Sequence, residues 1–461
     1  NLGNYSWVQN RGKVYENGRG VATIMAGSIS NIDDRKLRET KIEYMAYYDS
    51  LTGLANKQRF LDMLEIELDK TVNESKKCSI LMIDLDNFKR LNDTLGLDFC
   101  DQLLKHIGDI ISSTVGEEHL TARFGGDEFL ILLRDQEGKD KVEAICIDLI
   151  DIFRKPFELE DKSIYITASI GVVCCLNQRN SISEYMQNVD MALNKAKESG
   201  KNQYCFFDSA MHSEVLRNSE IESCIRRSIQ LDTLKIHYQL QQGLVDERIT
   251  GIEALARLSD EVLGDISPLE FIQVAESTGL IIPLGNWILE NACMQGKAWI
   301  DAGYQFGKLS VNISAFQLYN AGFYDDVKAI INKTKFPADW LELEITETAL
   351  FIASSNNLEI LQRLKSLGIK LALDDFGTGY SSLNYLTVMP IDTLKIDKSF
   401  VDKAFENIRE THVIKSIIEL AHSLNLNVVA EGVETLEQRE MLKQMACNSI
   451  QGYFFARPMA A

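Results

Sequence analysis

What the sequence lacks narrows it first. No run of about 18 apolar residues is present, the minimum for a membrane-spanning helix. The apolar stretch around Ile164 to Cys175 is broken by Thr and Ser in strand-like alternation. No segment therefore reads as a membrane contact. The nine cysteines are odd in number, contain one adjacent pair (Cys174, Cys175) and form no CxxC. That excludes a zinc ribbon and a disulfide framework, and predicts reduced packing thiols in a cytoplasmic protein. The six histidines are scattered and none pairs at ligand spacing. Positive charge is also short: 48 Lys and Arg against 67 Asp and Glu give a formal net charge of -19. A broad footprint on a nucleic acid polymer or an anionic lipid surface is thereby excluded. An anionic ligand would need metal ions or a local basic pocket.

What is present is enough apolar residue, 45% of 461 positions, to build two or three folded units. The chain opens at Asn1 with neither Met nor a signal-peptide pattern, so the expectation is a fragment whose upstream part holds a sensor or a membrane anchor. Residues 5–32 alternate β-prone stretches with glycine turns, and Asp33 to Tyr48 has helical character. In that helix Leu37, Ile42 and Met45 give at most two heptad-like steps, too short a seam to dimerise alone. From Asp49 to Asp208 apolar runs alternate with amphipathic stretches, the pattern of an α/β domain.

From about Arg226 one theme repeats eight times. The predicted strands are Lys235 to Gln239, Gly251 to Leu255, Lys308 to Asn312, Leu341 to Ile345, Lys370 to Asp374, Thr393 to Ile396, Asn427 to Ala430 and Ile450 to Phe454. Helix-length segments separate most of them, which predicts a (β/α)8 barrel with its chemistry at the strands' C-terminal ends. Those ends read Gln239, Glu253, Asn312, Glu344, Asp374 with Asp375, Lys395 with Asp397, Glu431 with Glu434, and Gln451. Any one acid there is ordinarily a helix cap or a solvated loop start. A polar group at all eight ends converges on one mouth, where unneutralised carboxylates would raise each other's pKa. A pair of divalent metals resolves the repulsion, and oxygen donors without His or Cys favour Mg2+ or Mn2+ over zinc. Two metals held by carboxylates suit phosphodiester hydrolysis. Lys395, the strand-end cation, is placed to orient water or balance developing charge, the plainer alternative being a salt bridge to Asp397 or Glu431.

The motifs Glu253-Ala254-Leu255, Asn312-Ile313-Ser314, Glu344-Ile345-Thr346-Glu347, Asp374-Asp375-Phe376-Gly377-Thr378-Gly379-Tyr380, Lys395-Ile396-Asp397, Glu431-Gly432-Val433-Glu434 and Gln451-Gly452-Tyr453 together resemble an EAL phosphodiesterase. The match runs over about residues 213 to 461. The resemblance implies hydrolysis of cyclic-di-GMP to linear pGpG, with Glu253, Asn312, Glu344 and Asp374 on a first metal and Asp375 on a second. It implies Lys395 and Glu431 as the groups that position and activate water. Arg257 and Gln451 would contact substrate and Gln239 would line the pocket. Glu347 and the loop from Asp375 to Ser382 resemble a mobile loop that couples metal binding to dimerisation. Leu240 and Leu258 depart from the usual Pro and Trp, near the expected substrate edge.

In the middle of the chain, the buried-type run Ile80-Leu81-Met82-Ile83 ends at Asp84-Leu85-Asp86, and two strands flank Phe124-Gly125-Gly126-Asp127-Glu128-Phe129. The glycines permit a tight hairpin, which could bring Asp84 and Glu128 onto shared metal ions. With Asp49-Ser50-Leu51-Thr52-Gly53-Leu54-Ala55-Asn56, Asn92 and Ser169-Ile170-Gly171-Val172, these segments are similar to a GGDEF diguanylate cyclase over about residues 44 to 208. The resemblance implies a nucleotide-cyclase-like palm fold that joins two GTP molecules across a homodimer. Asp84 and Glu128 would bind Mg2+ with GTP, Asp127 would assist catalysis, and Asn92 and Asp101 would read guanine. Lys197 and Lys201, spaced as neighbours on a helix, would hold the triphosphate. Leu97, Cys100 and Lys201 replace a usual His, Gly and Arg, and Cys100 could crowd the guanine pocket. Gly116-Glu117-Glu118-His119 stands where an inhibitory RxxD is frequent, so product inhibition there is not expected.

Trp7 to Asn31 resembles the last hairpin of a PAS sensor domain. The expected order is a PAS-like remnant over 1–32, a linker helix over 33–48, a GGDEF domain over 49–208 and an EAL domain over 209–461. Two other readings stay open from sequence: a non-catalytic receptor for cyclic-di-GMP and GTP that acts on a partner, and a cyclase with a silent barrel.

Overall fold

The computed structural model describes residues 6–16, 22–74, 77–134, 138–159, 162–175, 180–347, 349, 355–377, 386 and 388–461. The chain divides into two compact units, Asn1–Val215 and Leu216–Ala461, and the division falls inside the helix Ser209–Leu231. No described helix is long and apolar enough to cross a membrane.

The first unit begins with an antiparallel hairpin, β1 (Val8–Glu16) on β2 (Ala22–Asn31), followed by helix α1 (Asp33–Tyr47). Its main sheet contains β3 (Cys78–Leu85), β4 (Leu120–Gly125), β5 (Glu128–Leu133), β8 (Ala168–Cys175) and β9 (Tyr204–Phe206), in the order β4-β5-β3-β8-β9. A separate short hairpin pairs β6 (Phe157–Leu159) with β7 (Lys162–Ile164). The central strand β3 is apolar on both faces because both are covered. Leu81, Ile83 and Leu85 enter one core, with side chains of α4 (Leu97–Val115) and α5 (Lys139–Phe153). Ile80 and Met82 enter the other, with α2 (Lys57–Glu74) and α6 (Ile182–Glu198). Each such fully buried side chain contributes about 1.5–3 kcal/mol. Between α2 and α4 lies α3 (Phe88–Leu95). Helix α6 starts with a full capping box between Ser181 and Glu184. It passes so close to β8 that a Cβ on Gly171 would lie 2.2 Å from the Val189 carbonyl oxygen.

The second unit is an eight-stranded barrel: β10 (Lys235–Gly243), β11 (Ile249–Asp260), β13 (Lys308–Ile313), β14 (Leu341–Thr346), β15 (Lys370–Phe376), β16 (Thr393–Ile396), β17 (Asn427–Ala430) and β18 (Ser449–Ile450). A short strand, β12 (Gly264–Ile266), extends β11 outward. Strands β11 to β18 around the ring are parallel, but β10 runs antiparallel to both of its neighbours, β11 and β18. This corrects the expectation of eight equivalent βα repeats. Only residues 244–248 join β10 to β11, too few for a crossover helix, so the two strands form a hairpin. Three predicted strands differ most in extent. The first continues past Gln239 to Gly243, the second runs from Ile249 to Asp260 rather than from Gly251 to Leu255, and the last ends at Ile450 rather than Phe454.

Strand alternation in the barrel points polar residues inward. Leu309, Val311 and Ile313 of β13, and Leu341, Leu343 and Ile345 of β14, join the helices in one outer apolar cluster. The intervening Ser310, Glu342 and Glu344 are buried, and their hydrogen bonds run to polar residues of other barrel strands. Glu342 accepts from Ser310 Oγ at 3.0 Å, from Thr393 Oγ1 at 2.6 Å and from the Lys308 ammonium. The barrel interior is thus a stack of polar layers, in place of the branched aliphatic layers common in such barrels.

Candidate functional site

Lys395 is the centre of the upper layer. Its side chain is 1% exposed, and its Nζ lies 2.7 Å from Glu344 Oε2, 2.7 Å from Glu431 Oε1, 3.1 Å from Asp374 Oδ1 and 3.7 Å from Glu253 Oε2. Each partner arrives from a different strand or the loop after it: β14, the loop after β17, β15 and, within its length, β11. Of the two plain salt bridges considered from sequence, Glu431 is one of these partners. Asp397 is instead the N-cap of the helix Lys398–Glu406, accepting from Ser399 N–H at 3.0 Å.

Around this centre Asn312 Nδ2 donates to Glu253 Oε1 at 2.7 Å, and Gln451 Nε2 donates to Glu253 Oε2. Gln451 also donates to Gln239 Oε1 at 3.1 Å, while Gln239 Nε2 reaches the Ala456 carbonyl at 3.1 Å. Gln239 is not a strand end. Because β10 is reversed and continues to Gly243, a residue at the strand's midpoint sits opposite Glu253 in register. Gln451 lies just past β18 and accepts from Gln241 Nε2 at 2.9 Å. A cavity of about 310 Å³ opens here, walled by Gln239, Glu253, Asp374, Lys395, Glu431 and Gln451 among others. Arg257 is not among those walls, and its Nη1 donates to the Ala256 carbonyl. Glu347 Oε2 accepts from Gly377 N–H at 3.0 Å, and Asp375 has a left-handed φ of 55°. From Thr378 on, the predicted mobile loop lies outside the described residues.

The electrostatics of the cage follow from burial. Burial pushes Glu344 well above the carboxylate range, and the Glu253 charge adds to the shift more than Lys395 offsets it. Burial likewise carries Glu431 up to about 8, with Asp374 and Glu253 adding to it against Lys395. Asp375 is raised by burial, then by Asp374 and Asp397. Glu253 goes the other way. Burial opposes its charge, but Lys395, Gln451 and Asn312 together hold it below the usual value. Against burial, the surrounding carboxylates hold Lys395 protonated far above the ordinary lysine value.

This donor set fits divalent cations. Glu253, Glu344, Asp374, Asp375 and Glu431 outnumber one ammonium, and Glu344 Oε1 is buried without a hydrogen-bond partner. Asp374, Asp375 and Glu431 each offer an oxygen within 4.8 Å of the others. Oxygen-only donors of this kind can hold a hard dication, whose charge would remove the repulsion that shifts the acids.

The first unit presents a second acidic group. Asp84 and Glu128 are direct partners across β3 and β5, and Asp127 sits in the turn that joins β4 to β5. Burial raises both Asp127 and Glu128, and the Asp84 charge raises them further. Lys197 Nζ lies 2.7 Å from Asp84 Oδ2. Lys201 is not one helical turn along from Lys197, because α6 ends at Glu198 and Lys201 has a left-handed φ of 63°. It reaches the same region by donating to Asn87 Oδ1 at 2.9 Å. Asn92 Oδ1 is buried without a partner, Asp101 is exposed, and Cys100 is packed in the apolar core. Leu97 is exposed.

Sequence reading missed two supporting residues here. Asp86 is buried and accepts from Thr167 Oγ1 at 2.7 Å, Ser169 Oγ at 2.8 Å and Asn202 N–H at 3.1 Å. Arg123 clamps the turn, donating from Nε and Nη2 to the Gly126 carbonyl and from Nη1 to Asp49 Oδ1 at 3.2 Å. The available signals were an acid immediately past an apolar strand for Asp86 and a cation within β4 for Arg123.

Comparison with known proteins matches residues 223–458 to the EAL domain and residues 46–203 to the diguanylate cyclase GGDEF domain. The bifunctional diguanylate cyclase/cyclic di-GMP phosphodiesterase MucR of Pseudomonas aeruginosa is 35% identical over 417 residues, 90% of this chain and 61% of that protein. The cyclic di-GMP phosphodiesterase PdeR of Escherichia coli is 33% identical over 452 residues, 98% of this chain and 68% of that protein. The chain spans 53% to 61% of the length of the first curated relatives it matches. Among solved structures, the PaMucR phosphodiesterase in complex with c-di-GMP covers 52% of this chain and 98% of its own, at 37% identity and a TM-score of 0.51. The S helix-GGDEF-EAL structure of Vibrio cholerae LapD covers 92% of this chain and 99% of its own at 17% identity and a TM-score of 0.55, a likeness of fold.

Proposed function

The chain belongs to the tandem GGDEF and EAL family of cyclic-di-GMP signalling proteins, and from that premise we propose that its barrel hydrolyses cyclic-di-GMP to pGpG. The convergence of Glu253, Glu344, Asp374 and Glu431 on Lys395 carries this reading. Domains of both families are in general dependent on divalent metals. Glu253, Asn312, Glu344 and Asp374 would hold one ion and Asp375 a second, Mg2+ or Mn2+ by donor chemistry. When bound, such ions supply polarisation of the phosphodiester and a water acidic enough to ionise near neutral pH.

The chain's own groups do the rest. Lys395 keeps a fixed positive charge beside the cavity where negative charge develops. Glu431, on the cavity wall, receives the proton of the attacking water. One P–O bond breaks, the hydroxyl goes to phosphorus and a proton to the leaving oxygen. Gln239 and Gln451, held by their mutual hydrogen bond, form one wall against which the nucleotide would lie, and Arg257 reaches the substrate from the outer edge. Glu347 ties the loop after β15 to β14 through Gly377, which fits the role of a loop anchor.

The first unit binds GTP in this proposal. Asp84 and Glu128 would hold Mg2+, Asp127 would assist catalysis, Asn92 and Asp101 would read guanine, and Lys197 and Lys201 would meet the phosphates. The orphan Asn92 oxygen supports guanine recognition, since it can accept an N–H. Residues 1–32, 33–48, 49–208 and 209–461 are assigned as PAS-like remnant, linker, GGDEF and EAL segments. A homodimer follows from joining two GTP molecules. The eight cysteines with described side chains are all free, which fits a cytoplasmic setting.

Incubation of the purified chain with cyclic-di-GMP and Mg2+ or Mn2+, followed by chromatography, is expected to yield pGpG. Glu253→Ala is expected to reduce the rate by about a hundredfold or more, as for loss of a group that orders the reacting centre. Unchanged hydrolysis in that variant refutes the assignment, and binding without turnover in the unaltered chain selects a receptor.

A further inference from the structure

The barrel has a second mouth, at the end where its parallel strands begin. A cavity of about 520 Å³ opens there, against about 310 Å³ at the acidic mouth. The first residues of five strands line it: Lys308, Lys370, Thr393, Asn427 and Ser449. The strands that carry Asp374 and Lys395 to the opposite mouth therefore start here in a lysine and a threonine. The fully buried Glu342 closes the floor of this cavity, and its charge is taken up by Lys308, Ser310 and Thr393.

Two further cations face the cavity above that closed layer. Lys370 begins β15, and Lys443 stands in the last turn of the helix Leu436–Gln444. Among the described residues neither takes part in an ion pair. Asp246, the remaining carboxylate in the lining, lies 4.0 Å from Arg248. Asn448 contributes an amide whose oxygen is engaged by Val428 N–H at 2.8 Å and by His422 Nε2 at 2.9 Å, so its remaining hydrogen-bonding capacity is its nitrogen, a donor. In a chain of net charge -19, two ammonium groups without ion-pair partners in the lining of one cavity form a local reversal of sign. The volume is within the range of small-molecule sites, roughly 300–1,000 Å³.

We propose that this mouth is a second binding site, for a compact polyanion held between Lys370 and Lys443. Its chemistry is that of a phosphorylated small molecule or a polycarboxylate. The site is independent of the carboxylate cage and of its proposed hydrolysis.

The test is amine footprinting of the full chain in metal-free buffer, read by mass spectrometry, with millimolar pyrophosphate or citrate as probe. Acylation of Lys370 and Lys443 is expected to fall severalfold while that of Lys415, on the helix Ile408–Ser423 and outside the cavity lining, stays constant. Lys197 and Lys201 report separately on any phosphate bound by the first unit. Protection by one probe alone supports the site and identifies its ligand class. Lys370→Ala with Lys443→Ala, both at exposed positions, is expected to remove the corresponding heat in calorimetric titration. Unaltered labelling of both lysines with either probe, or equal protection at Lys415, overturns the proposal.

Discussion

At the scale of single residues, Lys395 decides how the barrel tolerates its own charge. It is the one buried cation among the described carboxylates of the upper layer, and removing it leaves those acids uncompensated. Breaking a buried ion cluster in this way typically costs about 3–5 kcal/mol. Lys395→Met is expected to lower the melting temperature in metal-free buffer, and added Mg2+ to raise the variant's by more than it raises the parent's. Differential scanning fluorimetry with and without the ion checks this, and an equal response in the two proteins contradicts it. The ends of the parallel strands made these residues legible. Glu253, Asn312, Glu344, Asp374 and Lys395 meet because each parallel strand ends at the same rim. The floor residues Glu342, Ser310 and Thr393 were not read, although the order Leu341-Glu342-Leu343-Glu344 already showed acids at alternate positions.

At the scale of elements, what sequence misjudged was direction. One repeated theme was assigned to all eight strands, and nothing in Lys235–Gly243 taken alone distinguishes a parallel strand from a reversed one. The short link over 244–248 was the missed signal. The helical spacing of Lys197 and Lys201 failed for a related reason, since Gly200, at φ 114°, ends the helix between them. In the first unit, a tie between elements gives a pH-dependent outcome. Burial raises the Asp49 carboxyl, but hydrogen bonds from Thr52 and then Arg123 outweigh it and hold it below the usual range. A depressed folded value contributes stability that is complete above the ordinary Asp range and is lost as pH falls through the folded value. Asp49→Asn is expected to cost about 1–2 kcal/mol at neutral pH, as for hydrogen bonds to a charged group. The deficit should shrink as pH drops below about 4, which denaturant titrations at several pH values would show. A constant deficit would exclude the carboxylate as its source.

At the scale of the whole molecule, two compact units with separate cores predict separable melting. Calorimetry is expected to resolve two transitions, with Gly171→Ala lowering one and Lys395→Met the other. The glycine change forces a Cβ to within 2.2 Å of a helix carbonyl, an overpacking that costs about 1–3 kcal/mol. A single transition moved by both variants would show that the units unfold together. The inward-facing polar stack of the barrel also bears on how the chain finds its fold. A slip of one residue along Leu341–Thr346 would turn Glu342 and Glu344 toward the oily helical jacket and send Leu343 among the acids. Misaligned closures are therefore strongly penalised, so the charges required for chemistry also act as a proofreading code for assembly.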